Sequence, residues 1–186
     1  EISAITPGNY FHIGGDESHS TNEEDYIVFI DKTQDIVEKY GKNVMGWDEI
    51  QSSNIKPNTI AQYWADADNA TGALKKGAKV LMSPAKYAYL DMQYDSLSTY
   101  GLHWASYISI KRGYDWNPDE LVEGITGENI IGVEAPLWSE TISNFEELSY
   151  LAFPRLLGYA EIGWSKTEKR KWDTYQKRLI EHGVLL

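Results

Sequence analysis

Tyr10-Phe11-His12-Ile13-Gly14-Gly15-Asp16-Glu17 runs from an apolar stretch of strand type through two glycines into two adjacent carboxylic acids. Successive side chains of a regular strand point to opposite faces. Asp16 and Glu17 can therefore serve one site only where the strand has ended. Gly14 and Gly15 supply the backbone freedom for a sharp exit and leave room for a ligand to approach. A carboxyl pair at a strand end suits acid–base chemistry. A solvated loop with two acids is the alternative that these residues alone leave open.

Outward from this stretch, strand and helix signals alternate. Tyr10 to Ile13 reads as a strand. Thr21-Asn22-Glu23-Glu24 reads as a capping box opening a helix to about Tyr40. Tyr26, Ile30, Thr33, Val37 and Tyr40 recur along it at helical spacing, and Gly41 ends it. Asn43 to Trp47 reads as a second strand and Thr59 to Tyr63 as a third, after a short connection with Pro57. Asp68 to Lys76 reads as a short helix stopped by Gly77, and Lys79 to Ser83 as a fourth strand. A long aromatic segment, Pro84 to Glu128, precedes a fifth strand at Ile130 to Glu134. Ser143-Asn144-Phe145-Glu146 is a second capping box, leading a helix that Pro154 is expected to kink. A last helix near Glu168 to Glu181 is expected to bury Trp172, Tyr175 and Leu179. No internal repeat or low-complexity stretch interrupts the pattern.

Repeated strand–helix units imply a parallel sheet. The chain has 186 residues, whereas a complete (β/α)8 barrel typically needs about 250. The sequence therefore reads as a single α/β region, either an open doubly wound sheet or part of a TIM barrel. The barrel is favoured by the residues at the end of each strand: Asp16-Glu17, Trp47-Asp48-Glu49, Tyr63-Trp64, Ser83-Pro84, and Glu134 with Trp138-Ser139-Glu140. Functional residues at the C-terminal ends of several strands are the habit of that fold. No Gly-x-Gly-x-x-Gly or P-loop supports nucleotide binding.

A hydrophobic fraction of 42% is ample for a core. Seven Trp and thirteen Tyr stand against only four Phe, so most of the rings carry a polar handle and suit a wet pocket as well as a core. The net charge of −11 repels nucleic acid and anionic membranes and favours a neutral or cationic ligand. No apolar run is long enough to span a bilayer. The first residues show no basic stretch followed by an apolar one, so no secretory leader is read, which tells little if the natural N-terminus is missing. The absence of Cys excludes disulfides and thiolate metal sites. It fits an exported bacterial protein, extracellular or periplasmic, as well as a cytoplasmic one.

Two acid pairs stand after strands, Asp16-Glu17 and Asp48-Glu49. The preceding glycines favour the first as the pair that a ligand approaches. Carboxyls held close push their pKa values apart, leaving one protonated and one ionised, and glycosidic bond cleavage needs such an acid. His12, Asp16, Glu17 and His19 are conceivable metal ligands, but their spacing matches no metal signature, and His12 in a barrel strand reads better as a hydrogen-bonded core residue. Trp47, Trp64, Trp104 and Trp138 come after strands or lie in the long segment. Singly each suits a core; as a recurring set they read as the walls of one cavity. Trp116, Trp164 and Trp172 lack that placement and read as structural. An acid-bearing, aromatic-walled pocket suits a neutral sugar, whose apolar faces stack on rings. Asn69-Ala70-Thr71 is a formal glycosylation sequon that reads as the start of a helix.

His12-Ile13-Gly14-Gly15-Asp16-Glu17 resembles the signature of the β-N-acetylhexosaminidases of glycoside hydrolase family 20. Further segments match in order: Val44-Met45-Gly46-Trp47-Asp48-Glu49, Gln62-Tyr63-Trp64, Tyr89-Leu90-Asp91, Gly132 through Glu140, Ala152-Phe153-Pro154-Arg155 and Ala160 through Ser165. The resemblance covers almost the whole chain. It implies release of a terminal N-acetylglucosamine or N-acetylgalactosamine with retention, by a substrate-assisted route that departs from the two-carboxylate scheme. It implies Glu17 as general acid and then base, Asp16 as the group orienting the acetamido N–H, and Tyr89 as donor to the acetamido oxygen. It implies Trp47, Trp64 and Trp138 as the box around the acetamido methyl, Asp91 and Glu140 on the 4- and 6-hydroxyls, and Trp104 near the leaving group. Asp48 and Glu49 then support the site from behind. No metal or organic cofactor is implied.

The departure lies on the N-terminal side. The family's barrel has eight strands, and this chain reads as beginning just before the fourth. An arginine that clamps the sugar's hydroxyls belongs to the strands not seen, and none of Arg112, Arg155, Arg170 and Arg178 stands after a strand in a matching position. A sheet of five strands has two open edges. The expected partners are an N-acetylhexosamine-bearing glycan and either the other half of the barrel or a second copy of the chain.

Overall fold

The computed structural model describes residues 1–183. By its contacts the chain forms two compact units, Glu1–Met82 with Pro118–Gly132, and Ser83–Asn117 with Val133–Leu186.

The first unit is built on parallel strands β1 (Tyr10–His12), β2 (Asn43–Trp47), β3 (Ile60–Tyr63) and β4 (Lys79–Met82). Tyr10 lies opposite Asn43, Met45 opposite Ile60, and Ile60 opposite Lys79. β5 (Ile130–Val133) lies beside β4, and the Val80 N–H donates to the Asn129 carbonyl at its entrance. Spatial order is chain order from β1 to β5. A doubly wound sheet reverses its strand order at a switch point; this sheet does not, which is the winding of a barrel. β3 is buried along its whole length, as a parallel strand covered on both faces should be.

A short helix α1 (Ile2–Ile5) precedes β1, and α2 (Glu23–Lys39) comes after it. Ile30, Val37, Val44 and Ile50 form the core between α2 and the sheet, with Phe11, Ile13 and Tyr26 against it. A 3₁₀ turn over Asp48–Ser52 makes the crossover from β2 to β3, and α3 (Ala67–Lys75) packs on β3 through Ala61, Ala73 and Ala78. Small side chains there let helix and strand approach closely. α2 is capped one residue later than its sequence suggests. Asn22, not Thr21, accepts the Asp25 N–H at 2.9 Å, while the Thr21 hydroxyl accepts from Ser18. Tyr40, expected on the buried face, is exposed, and Gln34 is buried instead, donating to Ser53 and the Asn54 carbonyl.

In the second unit the aromatic segment contains α4 (Ala85–Ala88) and α5 (Ile110–Asp115). After them come α6 (Phe145–Ala152), α7 (Arg155–Trp164) and α8 (Trp172–Gly183). The capping register again slips by one: Asn144, not Ser143, accepts from the Glu147 N–H at 3.0 Å. Pro154 does not kink one helix; it separates two, standing at the N-cap of α7. Proline lacks the N–H that would continue α6 and restricts the residue before it. Arg155, wholly buried, donates to the carbonyls of Leu90, Met92, Ile108 and Leu151, and its guanidinium lies 4.0 Å from the Tyr94 ring centre. α5 and α8 meet through Tyr114 stacked on Tyr175. Trp116 is buried, but Trp164, expected to be structural, is 92% exposed.

Candidate active site

At the exit of β1 the backbone turns through Gly14 (φ 73°), Gly15 (φ 102°) and Glu17 (φ 45°). Left-handed angles suit glycine; at Glu17 they cost on the order of 1 kcal/mol and persist only where the surroundings enforce them. The enforcement is visible. The Trp47 N–H donates to the Gly14 carbonyl at 3.0 Å, and the Tyr26 hydroxyl donates to the Gly15 carbonyl at 2.6 Å. The Gly14 N–H donates to His12 Nδ1 at 3.0 Å, which leaves the imidazole proton on Nε2, 3.1 Å from Gln62 Oε1. A β-carbon on Gly15 would stand 2.7 Å from Ile50 Cγ2. Asp16 and Glu17 emerge from this turn with exposed side chains, and Glu17 Oε1 lies 3.8 Å from His19 Nε2.

Behind the turn lie the ends of β2 and β3. Trp47 is buried, with its indole edge-on to His12 at 5.5 Å. Trp64 is half-buried; its indole N–H donates to Glu49 Oε1 at 3.1 Å and Oε2 at 3.2 Å. The Trp64 backbone N–H and the Asn69 side-chain amide donate to the two oxygens of Asp48, at 3.2 and 3.3 Å. Asp48 is fully buried. Burial raises its pKa well above the usual carboxylate range, and the neighbouring Glu49 carboxylate adds to the rise. The Tyr26 phenol is likewise pushed up, by burial first and then by Glu49, Asp16 and Asp48. Glu49 thus holds the indole of Trp64 and Asp48 its backbone. Asn69 does not begin α3; Asp66 caps that helix, and Asn69 serves Asp48.

The second unit gathers the remaining expected residues. Tyr89, buried at the end of α4, has Trp104 and Trp138 each 6.0 Å from its ring. The segment after β5 is tied to it by the Leu90 N–H, which donates to the Pro136 carbonyl at 2.7 Å. Trp104 and Trp138 are both exposed. Asp91 is buried, and neither of its carboxylate oxygens makes a hydrogen bond of good geometry within the chain. Burial raises its pKa to about 6; the backbone N–H groups of Asp91 and Trp138 oppose the rise, Glu140 adds to it, and Arg155 opposes it. An apolar cavity of 760 Å³ near Tyr94, Phe153 and Trp172 contains none of the expected site residues.

Sequence reasoning passed over His12–Gln62, Tyr26, Asn69 and Arg155 as supports. The signal for Gln62 was present: a polar residue inside a wholly buried strand needs a partner. Arg155 carried no comparable local signal, since its partners are backbone carbonyls up to 65 residues away. Among the described residues no three His, Asp or Glu side chains gather as metal ligands, and no helix is long and apolar enough to cross a membrane.

A parallel sheet wound in chain order, with carboxylates and indoles at its C-terminal strand ends, defines part of a (β/α)8 barrel of the enzyme type. Residues 20–167 match glycosyl hydrolase family 20, catalytic domain, and the chain belongs to that family. It is 41% identical to a β-N-acetylhexosaminidase of Cellulomonas fimi over 98% of its own length and 37% of the relative's. The solved β-N-acetylhexosaminidase of Streptomyces coelicolor A3(2) superposes with a TM-score of 0.91 at 42% identity, over 96% of this chain and 37% of that one. A mutant Streptomyces plicatus β-hexosaminidase in complex with its product GlcNAc gives the same score and identity over the same shares of the two chains. The chain thus spans little more than a third of the length of these relatives.

Proposed function

We propose that this chain forms the acid-bearing part of a β-N-acetylhexosaminidase that works with retention and borrows its nucleophile from the substrate. The observation that carries the reading is the β1 exit, where Gly14, Gly15 and a strained Glu17 hold two adjacent carboxylates out of the sheet. In this reading the substrate's acetamido oxygen attacks the anomeric carbon and forms an oxazolinium ion. Glu17 first protonates the departing oxygen and then takes a proton from the incoming water. Asp16 accepts the acetamido N–H and steadies the positive charge, while Tyr89 donates to the acetamido oxygen. Trp47, Trp64 and Trp138 enclose the methyl group. An intramolecular nucleophile held in reach of its carbon gains a large share of the rate from positioning alone. Asp91 and Glu140 receive the 4- and 6-hydroxyls, Asp91 from a buried position. Trp104 lines the leaving-group side.

The test is hydrolysis of an aryl N-acetyl-β-glucosaminide beside the aryl β-glucoside. Only the first should be cleaved; equal cleavage of both sinks the substrate-assisted route. Glu17→Gln should lose at least about a thousandfold in kcat, within the range general acid catalysis contributes, and unchanged turnover would remove Glu17 as the acid.

A second reading is favoured by the chain's 37% span of its relatives. The 186 residues alone bind N-acetylhexosamine and turn over only with the rest of the barrel supplied. Full activity of the isolated chain rejects it.

A further inference from the structure

We infer that His12 is a positioning residue for the acid-bearing turn. Its unprotonated Nδ1 holds the Gly14 N–H, and its protonated Nε2 ties that turn to β3. The inference rests on the proposed function only in treating Asp16 and Glu17 as the groups that act on the substrate.

A strand exit leaves backbone polar groups that must find partners outside the ladder. Here the partners come from different elements. The Gly14 carbonyl accepts from the Trp47 N–H of β2 at 3.0 Å, and the Gly15 carbonyl accepts from the Tyr26 hydroxyl of α2 at 2.6 Å. The Ile13 N–H donates to the Met45 carbonyl of β2 at 2.8 Å. The next N–H, that of Gly14, turns instead to the side chain two residues back, His12 Nδ1 at 3.0 Å. An N–H donates only to a nitrogen with a free lone pair, so the neutral ring carries its proton on Nε2. Nε2 lies 3.1 Å from Gln62 Oε1, an atom that only accepts. Gln62 is buried within β3, two residues before Trp64, and is a fixed anchor for the ring. The same imidazole meets the Trp47 indole edge-on, with ring centres 5.5 Å apart.

One side chain thus links the ends of β1, β2 and β3. It places the acid pair and the Trp47 wall in one frame. Gly14 sets the direction of the peptides that carry Asp16 and Glu17, so a shift there is passed on to both carboxylates. A misplacement of about 1 Å can cost about a hundredfold in rate. No other side chain has all the parts. Phenylalanine has the ring without the acceptor, and asparagine can set an oxygen where Nδ1 stands but has no ring.

The full chain labelled with 15N reports this arrangement by NMR without turnover. The His12 nitrogens are assigned by their loss in His12→Phe. At neutral pH the wild type should show Nδ1 unprotonated and Nε2 protonated, a reading that stands even where a variant does not fold. His12→Phe keeps a ring beside Trp47 and removes the acceptor. Its Gly14 amide should exchange with solvent at least about fivefold faster, as loss of one such hydrogen bond predicts, and the Asp16 and Glu17 amide resonances should move. His12→Asn should hold Gly14 exchange within about twofold of the wild type, because the bond is kept. On the aryl N-acetylglucosaminide, His12→Phe should lose at least about tenfold in kcat with KM little changed, the pattern of a displaced acid and not of weakened binding. His12→Asn should recover most of that loss. A proton on Nδ1, Gly14 exchange unchanged in His12→Phe, or a kcat of that variant equal to the wild type's overturns the inference. An inactive wild type whose Gly14 amide answers to His12 in this way defeats the hexosaminidase reading of the isolated chain and leaves the positioning role standing.

Discussion

Asp91 shows what a single buried group does to the pH response. Its carboxyl is taken from water and raised from an ordinary 3.8 to about 6. Between those values the folded chain holds a proton that the unfolded chain has released. The contribution of this group to stability is therefore complete below about pH 4 and is lost as pH rises to about 6, up to about 3 kcal/mol in all. Asp91→Asn should remove that fall. Urea denaturation at about pH 4 and about pH 7 should give a smaller stability difference in the variant, and the variant should equal or exceed the wild type at neutral pH. Parallel behaviour of the two proteins would contradict this.

At the scale of elements, the β1 exit and the Arg155 hub each turn sequence into position. Gly15 combines φ 102° with a β-carbon direction blocked by Ile50 at 2.7 Å and by the Tyr26 hydroxyl at 3.1 Å. Gly15→Ala should lower stability by about 2 kcal/mol or more, from strain and overpacking together, and abolish turnover. A denaturation midpoint equal to the wild type's would refute the argument. In the second unit Arg155 joins α6 to the segment that carries Tyr89 and Asp91, since Leu90 and Met92, whose carbonyls it binds, flank Asp91. Arg155→Met leaves four carbonyls without their donor and should cost roughly 3–5 kcal/mol in denaturant titration. Arg155→Lys should recover only a fraction, because one ammonium cannot reproduce the planar fork; full recovery would mean that charge alone matters there.

At the scale of the whole molecule, β1 and β5 are the outermost strands of the sheet. α2 also leaves Val28, Phe29, Ile36 and Tyr40 exposed, a run of large apolar side chains of the kind that marks an interaction surface. The 186-residue chain expressed alone should associate in a concentration-dependent way, seen by light scattering, and Phe29→Lys with Ile36→Lys should reduce it. A monodisperse monomer at high concentration would argue that this face needs no cover.

The strands, the winding and the two acid pairs were legible in the residues, because a buried parallel strand is a short apolar run and a strand exit is marked by glycine and then acid. The cap positions were legible only to within one residue: in both capping boxes asparagine, the better acceptor in place, displaced its hydroxyl neighbour. Helix faces were read from periodicity, which ranked Tyr40 as buried and passed over Gln34, because periodicity cannot see which polar side chain finds a partner across the turn to Ser53 and Asn54. By itself the sequence determined the class of fold and the family. Only the tertiary structure decided what holds those groups: His12 against Gln62, Asn69 on Asp48, Glu49 on the Trp64 indole, and Arg155 on the carbonyls around Asp91. Such bonds join residues from 15 to 65 positions apart, so folding has to bring the partners together before either one's role can be read.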